Sequence, residues 1–289
     1  MKVIGIDIGG SHISGSEIQL QDGILVTSQI FEAKVDTSLG ADEIISTWSG
    51  LISQIAGGDT EIKLGIAFPG PFDYENGISL IEEQGKMKSL LGLSVKNLLA
   101  EKLDIPQENI QFVNDAEAFL LGEKFGGVLK GHDKIMGITL GTGLGSAIGL
   151  EDVVKDAKLW TAPFRDGIAE DYLGNAWFVQ EAKSRFGIQI SGVKEILTWP
   201  DSSMKESIFD DFARSLGEFL LPYLIRIQAE ALVLGGKVSL AHQHFLPKTL
   251  EFLRKFGSET EIKISKLGEE AALIGAALPF YADKIYAQT

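Results

Sequence analysis

The sequence predicts an α/β protein built as two similar domains, and two observations carry this reading. First, Val3-Ile4-Gly5-Ile6-Asp7-Ile8-Gly9-Gly10-Ser11 returns, altered, as Met136-Gly137-Ile138-Thr139-Leu140-Gly141-Thr142-Gly143. An offset of 132 lays Gly5 on Gly137, Asp7 on Thr139 and Gly9 on Gly141, and such repetition marks duplicated structure. Second, strands followed by helices run through the chain twice over. Each copy of the repeat reads as an apolar strand entering a turn of glycine and hydroxyl residues. Two such turns with free backbone N–H groups can hold one polyphosphate from both sides. The pair implies a bound nucleotide and phosphoryl-transfer chemistry.

The elements follow in order. Residues 1–31 read as a β-meander, with Ile4, Ile6 and Ile8 leading into the first glycine turn and Asp22-Gly23 marking a hairpin. Residues 41–56 place Ile44, Ile45, Trp48, Leu51, Ile52 and Ile55 on one helical face. Lys63 to Phe68 is a buried strand stopped by Pro69-Gly70-Pro71. Residues 72–92 form a polar loop, long enough to be functional, in which Glu82 and Glu83 read as solvated charges. A helix near 94–103 precedes the strand Ile110 to Val113, which ends in Asn114-Asp115 and opens another helix. The repeated hairpin spans Ile135 to Leu150, and residues 151–170 read as irregular. Helices are expected at 171–186, at 206–229 with Pro222 kinking it, and at 242–256. Between the last two, Ala231 to Leu234 forms a strand running into Gly235-Gly236-Lys237. A final helix covers 268–281 and can pack back on the N-terminal domain. The domain boundary is placed at Asn114, giving domains 1–114 and 115–289.

Composition narrows the function classes. The chain has 289 residues, a net charge of −14 and no cysteine. No basic stripe offsets the negative charge, so nucleic acid is not an expected partner. A small anionic ligand must be held by local N–H groups and a metal ion against the overall field. Without cysteine there is no disulfide, thiolate zinc site or cysteine nucleophile. No apolar run reaches the length of a membrane span. No leader is read at the start, and a cytoplasmic location is expected.

Each motif has a bland reading beside the functional one. Asp7 in an apolar strand is an expensive buried charge unless it serves a metal or a hydrogen bond; the bland reading is a capped hairpin turn. Gly141-Thr142-Gly143-Leu144-Gly145-Ser146 nearly spells a dinucleotide fingerprint. However, Ala147 to Leu150 reads as a strand where that motif needs a helix. Gly236-Lys237 is followed by Val238, so no Walker A motif is present. Asp115 stands at a strand-to-helix junction, where it can take a proton from an attacking hydroxyl or simply cap the helix. Gly235-Gly236 reads either as a nucleotide-facing turn or as a connection. His242 and His244 are two apart and cannot share a helix face, and His12 and His132 are isolated.

Taken in order, these segments resemble the ROK family of sugar kinases and sugar-responsive repressors, within the sugar kinase/Hsp70/actin superfamily. The resemblance runs over nearly the whole chain. Asp7-Ile8-Gly9-Gly10-Ser11 is similar to the family's first phosphate motif and Pro69-Gly70-Pro71 to its sugar-side loop. Asn114-Asp115-Ala116 is similar to the substrate and catalytic-base motif. Gly141 to Gly145 is similar to the second phosphate motif and Leu234-Gly235-Gly236 to the adenosine motif.

The resemblance implies two actin-like (ribonuclease H-like) domains with a ligand cleft between them, and ATP-dependent phosphorylation of a sugar hydroxyl. It implies Asp115 as general base, with Gly9, Gly10, Ser11, Gly141, Thr142, Gly143, Gly235 and Gly236 on the nucleotide. Asp7 then orients Mg²⁺ through water. Gly70, Asn114, Asp115 and Glu170 face the sugar, Glu170 being carried over from the segment Glu170-Asp171-Tyr172-Leu173. A homodimer is the assembly it suggests.

Two features depart from the family pattern. The cysteine-rich zinc site is absent, so no zinc is expected. Leu159 to Arg165 holds no Glu-x-Gly-His segment, and the loop 82–92 lacks the family's Asn-x-x-x-Trp-like sugar contact, so glucose is not the expected substrate. The alternative is a non-catalytic, sugar-sensing protein of the same family without a DNA-binding module. A nicotinamide oxidoreductase is disfavoured by the failed strand–turn–helix context.

Overall fold

The structure is a computed structural model and describes residues 2–82 and 87–286; Glu83 lies outside the described residues. The chain divides into two compact units, Met1–Gly127 with Glu269–Thr289, and Val128–Gly268.

The first unit begins with the strands β1 (Lys2–Ile8), β2 (His12–Gln21), β3 (Ile24–Thr27) and β4 (Phe31–Lys34). Helix α1 (Ala41–Ala56) and strand β5 (Ile62–Phe68) follow, then a short hairpin of β6 (Phe72–Asp73) and β7 (Ile78–Ser79). Helix α2 (Val95–Leu103), strand β8 (Ile110–Asn114) and helix α3 (Asp115–Phe125) complete this stretch. The second unit opens on β9 (Lys134–Leu140), β10 (Leu144–Leu150) and β11 (Val153–Asp156). It continues through the hairpin β12 (Pro163–Phe164) and β13 (Gly167–Ile168), then α4 (Ala169–Leu173), α5 (Asn175–Phe186), α6 (Val193–Ile196) and α7 (Ser202–Ile227). Strand β14 (Ala231–Gly235), helix α8 (His242–Lys255) and strand β15 (Glu261–Ile264) close it, and α9 (Glu270–Ala277) and α10 (Ala282–Tyr286) belong to the first unit.

The two sheets repeat one topology. The first runs β3-β2-β1-β5-β8 with β4 also on β2, and the second runs β11-β10-β9-β14-β15. In both, an antiparallel meander is extended by two parallel strands. The repeat read from the sequence is therefore a repeat of structure: β1 and β9 are the same strand in the two units, each ending in a three-residue turn. This is the actin-like arrangement, once in each unit. The central strands are covered on both faces, as parallel strands between helical layers are: Ile4, Ile6 and Ile8 are buried on one face of β1, and Gly5 on the other lies under α9. In the first hairpin Asp22 and Gly23 both take positive φ, 50° and 77°, the geometry that Asp-Gly turns favour.

Several boundaries differ from expectation. The stretch 151–170 is not irregular: β11 pairs antiparallel with β10, and β12 with β13. Strand β15, which periodicity missed, pairs parallel with β14. Both β11 and β15 are four-residue edge strands with charged residues on the open side, so their burial signal is weak. The polar loop after Pro71 contains β6 and β7. The helix expected over 171–186 is broken at Gly174, which is extended (φ −98°, ψ 172°), into α4 and α5. Helix α7 starts earlier than expected because Asp201 caps it, accepting from the N–H groups of Ser203 and Met204. Pro222 lies inside that helix. The boundary expected after Asn114 falls at the start of α3, which lies in the first unit.

Within the first unit, α9 packs on the sheet and on α3 through glycine. A Cβ on Gly5 would come 2.1 Å from the Leu273 carbonyl oxygen, and one on Gly122 would come 1.9 Å from that of Ala271. The missing side chains let helix backbone lie directly on strand and helix backbone. Among the described residues, no helix is long and apolar enough to cross a membrane.

Candidate active site

The site in the first unit is built on the carboxyl ends of three parallel strands, where α/β sheets collect ligands. Register sets the row: Asp7 of β1 lies beside Ala67 of β5, and Phe68 lies beside Asn114 of β8. Asp7 shares a strand face with Gly5, the face that α9 covers. The N-terminus of that helix therefore brings Glu269 towards Asp7, while Asp115 follows directly on β8. Burial first, then the charges of Asp115 and Glu269, push the Asp7 carboxyl up to about 7. The charges of Asp115 and Glu269 thus both bear on the Asp7 carboxyl at the sheet edge.

Asn114 and Asp115 divide the work at the start of α3. Asn114 is the cap: its Oδ1 accepts from the N–H of Ala116 at 2.9 Å and of Glu117 at 3.2 Å. Its Nδ2 donates to Tyr74 Oη at 3.0 Å, and that hydroxyl donates to the Phe68 carbonyl at 3.1 Å. Asn114 is buried, and its side chain is largely spent within the protein. Asp115 is exposed; its Oδ1 accepts from the Ala116 N–H at 2.8 Å. Gly70 completes the group, since a Cβ there would meet Tyr74 Oη at 3.3 Å and Asn114 Nδ2 at 4.0 Å. The structure therefore brings Asp7, Gly70, Asn114 and Asp115 to one sheet edge. Sequence reasoning missed Tyr74 and Glu269 there.

The first glycine turn, between β1 and β2, is held from outside. The Gly9 N–H donates to the His12 carbonyl at 2.9 Å, so it is used within the turn. The Gly10 carbonyl accepts from Thr37 Oγ1 at 3.0 Å and the Ser11 carbonyl from the Val35 N–H at 2.9 Å. In a trans peptide the N–H points opposite to the C=O. The Ser11 N–H is therefore turned away from Thr37. The expectation that Gly9 offers its N–H to a ligand is corrected by this geometry.

The second turn, in the other unit, repeats the design. The Gly141 N–H donates to the Gly143 carbonyl at 3.0 Å, closing the turn internally, so its assignment as a ligand donor is corrected in the same way. The Gly141 carbonyl accepts from the Asn175 N–H at 2.9 Å, which turns the Thr142 N–H the other way. Glu170 Oε2 accepts from the Leu144 N–H at 2.9 Å. Gly235 pairs with Thr139 at the end of β9. Gly236 follows with φ 80°, and a Cβ there would come 2.5 Å from the Leu140 carbonyl oxygen. The structure thus gathers Gly141, Thr142, Gly143, Glu170, Gly235 and Gly236 at one end of the second sheet.

The segment without Glu-x-Gly-His is aromatic and ion-paired. Arg165 Nη2 meets Glu218 Oε2 at 2.7 Å. Its guanidinium lies over the rings of Phe164 and Tyr172, 5.1 and 5.3 Å from their centroids.

A metal must be fitted to these groups. Mg²⁺ takes oxygen ligands and keeps several waters. Asp7, Asp115 and Glu269 supply oxygen and negative charge. Among the described residues no three His, Cys, Asp or Glu side chains stand close enough to hold an ion by themselves. The groups fit an ion held through water and substrate phosphates. A cysteine-ligated zinc is ruled out by the absence of cysteine.

Known proteins are similar to this chain over nearly its whole length. The glucokinase of Thermotoga maritima is 25% identical over 323 residues, spanning 96% of this chain and 96% of its own. An N-acetylmannosamine kinase of Haemophilus influenzae is 23% identical over 307 residues, spanning 96% and 94%. The crystal structure of a ROK family glucokinase from Streptomyces griseus, in complex with glucose and AMPPNP, superposes with a TM-score of 0.76 at 22% identity. It covers 96% of this chain and 98% of that one. The ROK family model matches residues 3–159, which include the first glycine turn, the Asn114-Asp115 junction and the second glycine turn. With that match over more than half of its length and two copies of the actin-like sheet, this chain belongs to the ROK family.

Proposed function

We propose that this protein is a sugar kinase, transferring the γ-phosphoryl group of ATP to a sugar hydroxyl. The observation that carries the reading is the edge of the first sheet, where β1 ends beside the first glycine turn and the charge of Asp115, directly after β8, bears on Asp7. In the reaction the sugar hydroxyl oxygen bonds to the γ-phosphorus, the bond from that phosphorus to the β–γ bridging oxygen breaks, and ADP leaves. Asp115, exposed and not the cap of its helix, takes the hydroxyl proton. Asn114 and Gly70, fixed by Tyr74, shape the sugar side. The outward N–H groups of the two glycine turns hold phosphate oxygens, and Gly235 and Gly236 flank the nucleotide. Mg²⁺ bound through Asp7 would neutralise phosphate charge, the main catalytic requirement in this class beside positioning.

The relatives' names include both a glucokinase and an N-acetylmannosamine kinase, so the family alone does not select the sugar. The paired Arg165 and its aromatic neighbours replace the side chains expected to hydrogen-bond ring hydroxyls. Losing such contacts costs about 1–3 kcal/mol for each polar group left unpaired. Glucose is therefore a poor acceptor in this reading. A cytoplasmic location and a homodimer follow from the family resemblance alone.

The test is ADP release with Mg·ATP across hexoses, N-acetylhexosamines and their derivatives. The reading expects sugar-dependent ADP release, with at least one sugar turned over faster than glucose. Sugar binding without release by any of them would favour the sensing alternative.

A further inference from the structure

The first glycine turn has a histidine over it. His12, isolated in the sequence, follows the turn, and its ring lies on Gly9. A Cβ there would come 2.7 Å from Cε1, 3.1 Å from Nδ1 and 3.3 Å from Nε2. The polar edge of the imidazole therefore rests on the turn, in space that a side chain at position 9 would fill. Folding also gives His12 a neighbour. Strand register sets His12 opposite Lys34 on β4, as it sets Asp7 opposite Ser14 on β2. Residues directly opposite on antiparallel strands share a face, and His12 and Ser14 share one by alternation. Asp7, His12 and Lys34 thus stand on one face of the first sheet, the face on which α9 covers Gly5. That cover does not reach the last row, where His12 and Lys34 are both exposed. Among the described residues neither side chain takes part in an ion pair.

We propose that His12, with Lys34 beside it, binds a phosphate oxygen of the nucleotide at the first glycine turn. The inference rests on the kinase reading above and adds to it two side chains outside the glycine motif. The physical argument is one of charge. The chain carries a net charge of −14, and the Asp7 and Asp115 carboxylates stand at this same sheet edge, so the field around the turn repels an anion. Strand order sorts the opposing groups: the carboxylates lie on β1 and after β8, and the two bases lie on β2 and β4, on the other side of the turn. The imidazole keeps at least one N–H donor in either charge state, and the Lys34 ammonium adds a full positive charge. Hydrogen bonds to phosphate from such groups are stronger than those from neutral donors.

The test measures binding of Mg·ATP and of AMP by calorimetry in the absence of sugar. The variants are His12→Ala, His12→Gln and Lys34→Gln. A hydrogen bond to a charged group corresponds to about 10–100-fold in an equilibrium constant. His12→Ala is expected to weaken Mg·ATP binding by about tenfold and to leave AMP, which carries the same adenosine, within about twofold. His12→Gln, whose amide still donates, recovers part of the loss. Lys34→Gln weakens Mg·ATP by a few-fold and lessens the fall in affinity from low to high salt, because exposed charges are screened. A His12→Ala variant that binds Mg·ATP like wild type, or that loses AMP in the same proportion, overturns the inference and leaves the kinase reading standing. Wild-type protein that binds no Mg·ATP refutes the kinase reading itself, and the inference with it. Melting temperatures of the three variants identify any that fail to fold, in which case the remaining arms decide.

Discussion

Asn114 Nδ2 donates to Tyr74 Oη at 3.0 Å, and through that bond the cap of α3 is tied to the loop after β5. The Tyr74 hydroxyl in turn donates to the Phe68 carbonyl at 3.1 Å. Tyr74→Phe keeps the ring and removes the relay, leaving a buried amide N–H and a carbonyl to find new partners. Unmet buried groups cost about 1–3 kcal/mol each. The expected outcome is a drop in melting temperature of several degrees and a raised KM for the sugar, with Mg·ATP affinity unchanged. An unaltered melting curve and sugar KM would show that the hydroxyl fixes nothing.

The Asp7 carboxyl gives a pH signature. Its pKa is about 7 in the fold, against an ordinary value of 3.8, because burial and then Asp115 and Glu269 disfavour its charge. A raised pKa contributes stability that is complete below the unfolded value and is lost as pH rises through the folded one. Stability in divalent-free buffer should therefore decline between about pH 4 and pH 7, by an amount on the order of a few kcal/mol. Asp7→Asn should flatten that decline and be the more stable protein at pH 8. Thermal melts of both proteins across this range check it, and parallel curves would remove Asp7 as the cause.

Nucleotide binding should show as stabilisation. Ligand at a hundred times its Kd adds about 2.7 kcal/mol to the folded state. Mg·ATP should raise the melting temperature and NADH should not, since the strand after Gly145 denies a dinucleotide fold its helix. Equal shifts with both, or none with saturating Mg·ATP, would count against the assignment of the glycine turns.

Gly236 makes a purely structural prediction. At φ 80° with the Leu140 carbonyl oxygen 2.5 Å from any Cβ, alanine meets both strain and a clash. Gly131 has φ 83° and open space around it, so Gly131→Ala isolates the strain, about 1–3 kcal/mol. Gly236→Ala should cost clearly more than Gly131→Ala in urea unfolding. Equal costs would show that the second sheet yields at this point.

How legible the site was depends on how local each signal is. Asp7, the two glycine turns and Asn114-Asp115 are readable because turns and helix starts demand particular residues at fixed spacing, and the repeat doubles the first signal. Their sheets were readable because β1 and β9 are buried along most of their length. Tyr74 and Glu269 were not, because only folding brings them there: one on a loop after β5, the other by the return of α9 to the first unit. A carboxylate pair, Glu269-Glu270, opening an otherwise apolar helix was the available hint for the second. The cap assignment was also beyond the sequence, since Asn and Asp cap equally well and only geometry gives the role to Asn114. Strands β11 and β15 were lost because four half-exposed residues carry too little periodicity.

The central claim is that Asp115 takes the proton of the attacking hydroxyl, and Asp115→Asn tests it most directly. The substitution keeps size and one acceptor but cannot accept that proton. Asn114 remains in place to cap α3, so the fold should melt as wild type does. General-base catalysis contributes typically about 10²–10⁴-fold. The measurement is phosphoryl transfer to the best sugar found, beside Mg·ATP affinity on the same preparation. The account predicts a fall in turnover of about 10²–10⁴-fold with affinity nearly unchanged. Turnover near that of wild type would remove Asp115 from the chemistry and contradict the account.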